Sequence, residues 1–410
     1  MKKTLILASV SLLCLSSAFS SDRTDRAQFG VPSQGATVEP HDSTAQPSNN
    51  PSAQPGLARP LPTSLKGMPP EILGKIANNL EAEDVVRLQN MTEDKTFQAK
   101  THSAEFYQQN SRVMTCDISN PKVFKSLIKY LQEAPQNANI KLTLIGVTLD
   151  NLKQILPYCN EVTALDLTGY IIGDKEVEVL AESPYLVKLT ALNLSSNKIG
   201  DEGVIALANS KTLINLAFLS LASNNIGTAG VEFLANSENL ASLTALNLAN
   251  NKIGDEGVIA LANSKTLINL ASLHLVMIKL NAAGAIALAG SKNLASLTSL
   301  SLSINKIGDE GAIALANSKT LINLTFLALW SNNISDKGAK ALAESKNLAS
   351  LTSLELWHNK IGDDGAQALA ESKTLKNLTT LDLKNNNISD KGAKTLAESK
   401  NLASLTSLEL

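Results

Sequence analysis

The chain has 410 residues, 44% of them apolar, and its 36 Lys and Arg nearly cancel its 38 Asp and Glu. That length and apolar share allow a large buried core. The near-neutral balance offers no electrostatic footprint for nucleic acid or an anionic membrane surface, so neither is expected as a partner. Aromatic residues make up only 4%, which makes the position of each one informative.

Residues 1–20 begin with Lys2 and Lys3, continue through an apolar run from Leu5 to Leu15, and reach Ala18-Phe19-Ser20, small residues at positions suited to cleavage. This resembles a bacterial Sec signal peptide. The run is shorter than the ~20 residues that span a bilayer, and no later one is long enough. The expectation is therefore secretion with no membrane insertion after signal removal; action inside a host cell is one destination, the periplasm or cell surface the alternative. Cleavage would leave Cys116 and Cys159, too few for a disulfide framework or a Cys-based metal site, and they are expected as buried, inert thiols. Residues 21–66 hold seven of the thirteen prolines, with many Ser, Gln and Asn and no apolar period. Such a composition buries too little apolar surface to offset ordering, and the segment is expected to be a disordered linker.

Residues 68–91 read MPPEILGKIANNLEAEDVVRLQNM. Ile72, Leu73, Ile76 and Leu80 place one apolar stripe on a helix, and Asp84 is positioned to cap a second helix bearing Val85 and Leu88. Residues 67–100 are thus expected to be a small all-α module. Residues 101–161 should close the N-terminal end of the repeat array that begins at residue 162. Asn120-Pro121 starts a helix, PKVFKSLIKYLQE, and IKLTLIGVTLDNLKQIL (140–156) reads as a shorter, degenerate repeat.

From residue 162 to 410 self-similarity dominates. The motif LxxLxL starts at Val162, Leu189, Leu216, Leu243, Leu270, Leu297, Leu324, Leu351, Leu378 and Leu405, always 27 residues apart. The leucines at its fourth and sixth positions alternate inward as a short strand. The Asn at the ninth (Asn197, Asn224, Asn251, Asn305, Asn332, Asn359, Asn386) is placed to bond neighbouring backbone as a ladder, and the Ile at the eleventh points to the core. The Asp at the thirteenth, as in Asp309 and Asp336, reads as the N-cap of the helix that comes after it. In GAIALA (311–316) and GAKALA (338–343) the Ala and Leu at i, i+3 and i+4 face inward. The unit resembles the leucine-rich repeat, which implies an α/β fold: a curved solenoid of strand–helix units. One unit, 270–296, departs most, with Ile278 at the ladder position and Asn281-Ala282 for Gly-Asp; it reads as a change of curvature or a decaying copy. The array stops at Leu410 partway through a unit. The exposed strand edge invites pairing with another copy, and a truncated gene is the other reading.

In a strand–helix solenoid the non-leucine positions of the motif line the inner face, where departures from consensus are free to serve binding. Phe218, Phe326, Trp330 and Trp357 fall there, as do His274 and His358. Met277 and Ile304 add apolar surface, and Glu355, Asp382 and Lys384 add charge beside the tryptophans. Exposed Trp next to charge matches the composition of binding hot spots, so these eleven residues form the candidate target-binding surface. No phosphate-binding Gly loop, nucleophile elbow or HExxH is present, so no catalytic residue, cofactor or metal is expected, and the protein is not expected to be an enzyme.

The 68–91 stretch resembles an F-box, the helical module that docks on the Skp-type adaptor of cullin–RING ubiquitin ligases. The matching residues are Met68, Pro69, Ile72, Leu73, Ile76, Leu80, Val85 and Leu88. Its position ahead of GAxxLA repeats is similar to GALA-type bacterial F-box leucine-rich-repeat effectors, and the repeats also resemble the ribonuclease-inhibitor class. The resemblance implies a secreted effector that bridges a host Skp-type adaptor to a target protein on the repeats. The alternative is an exported binding module, or an inhibitor of a partner enzyme, with no ubiquitin link.

Overall fold

The computed structural model describes residues 113–169 and 171–410. The expected leader, linker and F-box-like module, with all eight residues matched to the F-box from Met68 to Leu88, lie outside these residues. Within them, twelve strands form one parallel sheet in sequence order, and a helix follows each of the first eleven. The sheet begins ahead of the regular repeats. Val113–Asp117 pairs with Ile140–Ile145, which pairs with Val162–Asp166. The helix Pro121–Glu133 is capped by Asn120, whose side chain accepts from Lys122 N.

From Ala191 onward the strands shrink to three residues each. Strands pack about 4.8 Å apart and helices about 8–10 Å apart, so a stack with all strands on one side and all helices on the other must curve, with the sheet inside. The core lies between the two layers. Leu192, Leu194, Ile199, Val204 and Leu207 of one unit are fully buried, as are their equivalents along the array as far as Leu383, while Ile388 of the last helical unit is only partly covered. The inward face of the repeat helices is Leu with Ala or Val, as in Val204 and Leu207 or Ala312 and Leu315.

Three polar ladders join one unit to the next. Asn224 is typical of the first: its Nδ2 donates to Leu194 O (2.9 Å) in the preceding unit and Leu221 O (3.0 Å) in its own, while its Oδ1 accepts from Ile199 N (3.0 Å). The second sits where the helices end. Ser210 Oγ donates to Ala181 O (2.6 Å), the last turn of the preceding helix, and the pattern continues to Ser399 and Ala370. These serines recur at a fixed place in every unit, a signal in plain view that the leucine pattern overshadows.

The third ladder corrects the expected role of the aspartates. Asp309 and Asp336 do not cap their own helices. Asp336 Oδ1 accepts from Gly362 N (2.6 Å) and Gly365 N (2.9 Å), the N-terminus of the next helix; Asp309 does the same for Ser335 and Gly338. This also explains the Gly of GAxxLA. A Cβ on Gly365 would lie 2.7 Å from the Asp336 carboxylate, so a side chain there would expel the cap. In two units the Asp is replaced, by Thr228 and by Ala282. The glycines they should hold, Gly254 and Gly308, turn left-handed (φ +69° and +57°), whereas Gly200, Gly227 and Gly362, which are held, stay extended. Their N–H groups donate instead to Ile278 O (2.9 Å) and Asn332 O (3.0 Å).

Unit 270–296 keeps its place in the stack without its Asn. Ile278 is buried, and Asn305 Oδ1 of the next unit accepts from both Ile278 N and Leu280 N. Cys116 and Cys159 are buried and unlinked, and burial pushes the Cys159 thiol up to about 12.

The aspartate ladder makes a two-sided prediction for chemical denaturation. Asp309→Ala leaves the N–H groups of Ser335 and Gly338 without their acceptor and should cost about 1–2 kcal/mol. Ala282→Asp supplies Gly308 with the missing acceptor and should stabilise by about 0.5–1 kcal/mol. Equal stability of all three proteins would show that the ladder carries no weight.

Candidate binding surface on the inner sheet

The strands hold their inner side chains in register at one position per unit. Trp330 and Trp357 come just after neighbouring strands, Phe326–Ala328 and Ser353–Glu355. Their indoles stack with centroids 4.1 Å apart and planes 13° apart. The ring of His358 meets Trp357 edge-on at 6.3 Å. Both tryptophans remain half-buried, with His358 exposed beside them. Stacking is worth about 0.5–1.5 kcal/mol beyond burial and fixes both rings as one flat plate.

The plate borders charge. Glu355 stands in register with Asp382, and Asp382 with Glu409. Lys384 Nζ pairs with Glu409 Oε2 at 3.0 Å, which raises the lysine above its ordinary range. Glu355 is half-buried, and burial, then the charge of Asp382, pushes it up to about 7. It therefore changes charge within the physiological range, beside the tryptophans.

The remaining candidates separate. Phe326 is half-buried at the strand's start, on the same side of the sheet as the plate. His274 lies two strands earlier, its Nε2 3.1 Å from Ser272 Oγ; burial lowers it to about 4, so it is a neutral contact near pH 7. Phe218 is a correction. It is only 5% exposed and packs with Ala191 and Ala245, its in-register neighbours, in a small apolar cluster of its own. Two flanking alanines let the ring lie down over the sheet, so it fills space and presents no contact.

Met277 and Ile304 are exposed, at 48% and 37%, but belong to a different row. They occupy the turn after each strand, where Ser196, Ser223, Asn250, Met277, Ile304, Ser331, His358 and Asn385 all have φ between 51° and 56°. The residue pattern alone assigns Met277 and Ile304 to the strand surface, because side-chain type gives no sign of the left-handed backbone. Among the described residues, no group of His, Cys, Asp and Glu is arranged to hold a metal ion, and no helix is long and apolar enough to cross a membrane.

A family model for the repeat agrees with the repeat architecture. The Leucine Rich repeat model matches seven stretches, 185–208, 212–235, 239–262, 293–316, 320–343, 347–370 and 374–397. The stretch it passes over, 263–292, contains most of the unit that lacks its ladder Asn, including Ile278. Among solved structures, an internalin (inlF) from Listeria monocytogenes aligns at 24% identity over 71% of this chain and 95% of its own, with a TM-score of 0.37. A plant ice-binding protein aligns at 22% identity over 57% of this chain and 68% of its own, with a TM-score of 0.33. No curated protein matches the sequence.

The carboxylate pair predicts a pH dependence. A raised carboxyl favours the folded state while protonated, so its contribution is full below the unfolded value near 4.5, declines as pH rises, and is gone above about 7. Glu355→Gln should flatten stability across that window and leave the variant more stable than wild type at pH 8, by about 1–2 kcal/mol after solvent screening. Parallel pH profiles for the two proteins would place the titration elsewhere.

Proposed function

We propose that this chain, seven stretches of which match the Leucine Rich repeat model, is a secreted bacterial adaptor that captures a target protein on the inner face of its repeats. The observation that carries the reading is the stacked Trp330–Trp357 plate, half-buried and flanked by Glu355, Asp382, Lys384 and His358. Flat indoles offer large apolar area at little conformational cost, and neighbouring charges set orientation and exclude wrong partners. Repeats of this kind serve protein–protein interaction.

The finer part of the proposal concerns what the adaptor joins. The Sec-like leader at 1–20, the linker at 21–66 and the F-box-like stretch at 68–91 support a protein exported toward a host. There Met68, Pro69, Ile72, Leu73, Ile76, Leu80, Val85 and Leu88 would engage a Skp-type ubiquitin-ligase adaptor while the repeats hold the target.

Two experiments test the two halves separately. In a pull-down with purified Skp-type adaptor, the wild-type chain should be retained, and Leu73→Asp with Ile76→Asp should abolish retention without moving the thermal transition of the repeats. Absence of wild-type retention would leave an exported binding module with no ubiquitin link. For the repeats, Trp330→Ala with Trp357→Ala should weaken capture of a target identified by crosslinking to the wild type by about a hundredfold or more. Undiminished capture by this variant would remove the tryptophan plate from the proposal.

A further inference from the structure

A second surface runs along the turns that come after the strands. A groove of about 1070 Å³ extends there from Asn197 to Asn385, and its lining consists of Asn, Ser, Lys, Met, Ile and His side chains with no Asp or Glu. In a chain of net charge −2 that is a marked segregation. Lys252, Lys279 and Lys306 come from three consecutive units, roughly 5 Å apart by strand spacing. All three are exposed, and among the described residues none forms an ion pair, while Lys129, Lys188, Lys340, Lys384 and Lys394 each do.

The middle of this basic row is where apolar side chains emerge. Met277 and Ile304 belong to neighbouring units and stand in the left-handed conformation, at φ 55° and 51°. Small polar Ser and Asn fill five of the other positions in this row, and Asn tolerates that backbone; a β-branched residue does not, and Ile304 is a true outlier. Lys279 is left-handed as well, at φ 64°. The scaffold therefore holds an exposed isoleucine and methionine in strained geometry, with unpaired cations on the same groove. Strain retained where a polar residue would relieve it points to use.

We propose that this groove docks an extended acidic peptide segment of a partner protein, with an apolar side chain set against Met277 and Ile304 and carboxylates against Lys252, Lys279 and Lys306. Charge complementarity selects the acidic chain, and the apolar pair selects a peptide over a nucleic-acid strand, whose phosphates would engage the lysines and leave Met277 and Ile304 without a partner. The site is distinct from the tryptophan plate: it uses the turns and not the strands, and His358, exposed beside Trp357, marks where the two surfaces meet.

The test uses the full chain and a dye-labelled, Glu-rich peptide with one central Leu, monitored by fluorescence anisotropy. Wild type should bind it saturably, less tightly as salt rises, and should bind the Leu→Ser peptide more weakly. Lys279→Glu with Lys306→Glu should weaken binding at least about tenfold while the thermal transition holds. Ile304→Asn should weaken binding and raise the thermal midpoint, a pairing that a merely structural role would not produce. Lys340→Glu, on an exposed helix face away from the groove, should leave this peptide's affinity nearly unchanged, which separates the groove lysines from a general loss of positive charge. Three results would overturn the proposal: no saturable binding, binding indifferent to the charge reversal, or oligothymidylate bound more tightly than the peptide.

Discussion

Every unit of this array contains backbone groups that it cannot satisfy by itself. A turn bent sharply enough to join a three-residue strand to a helix leaves N–H and C=O groups facing inward, away from water, and both helix ends add more. The neighbouring unit supplies the partners. Asn224 reaches back to Leu194 O, Asp336 reaches forward to Gly362 and Gly365, and Ser210 reaches back to Ala181 O. All three bonds require that equivalent residues stack in register, which ties the spacing of 27 residues to the chemistry of burial. A unit one residue longer would misalign all three ladders at once.

This dependence explains which parts of the molecule are legible in the sequence. The leucines and the Asn ladder announce themselves because their periodicity and their chemistry agree: an amide buried at a fixed place must bond backbone. The aspartates mislead because their acceptor geometry looks local while their partners lie 26 and 29 residues onward. An N-cap expected at the start of a unit's own helix is a cap on the next. Phe218 misleads for the opposite reason. Its side of the sheet is legible, but exposure depends on the size of the neighbours across the strands, and Ala191 and Ala245 leave room for the ring to settle.

The left-handed turn residues are the least legible of all. Ser and Asn at this position hint at a special backbone, yet Met277, Ile304 and His358 carry no such hint. Only the fold shows that the three belong to one row. The stacked indoles are easier, because residues 27 apart on neighbouring strands must be close; their near-parallel planes and the raised carboxyl of Glu355 require the structure.

Departures that give up ladder contacts or strain the turn concentrate between residues 228 and 304, whereas those on the strand surface, such as Trp330 and Trp357, lie further on. Thr228 and Ala282 lack the capping carboxylate, Ile278 lacks the ladder amide, and Met277 and Ile304 hold strained backbones. A stack of identical units tolerates such losses because each interface is shared with two neighbours that keep theirs. Asn305 accepts two N–H groups from the defective unit, and the two unheld glycines find carbonyls one unit further on. Uniform flanking repeats thus let a central stretch give up stabilising contacts while remaining in register. Lys252 and Lys279 in that stretch and Lys306 just after it stand in a row with no ion pair among the described residues. In a molecule whose consensus places mostly Ser, Ala and Asn on the inner sheet face and its turns, specificity there has to come from units that break the consensus, and the regular ladders on either side are what make breaking it affordable.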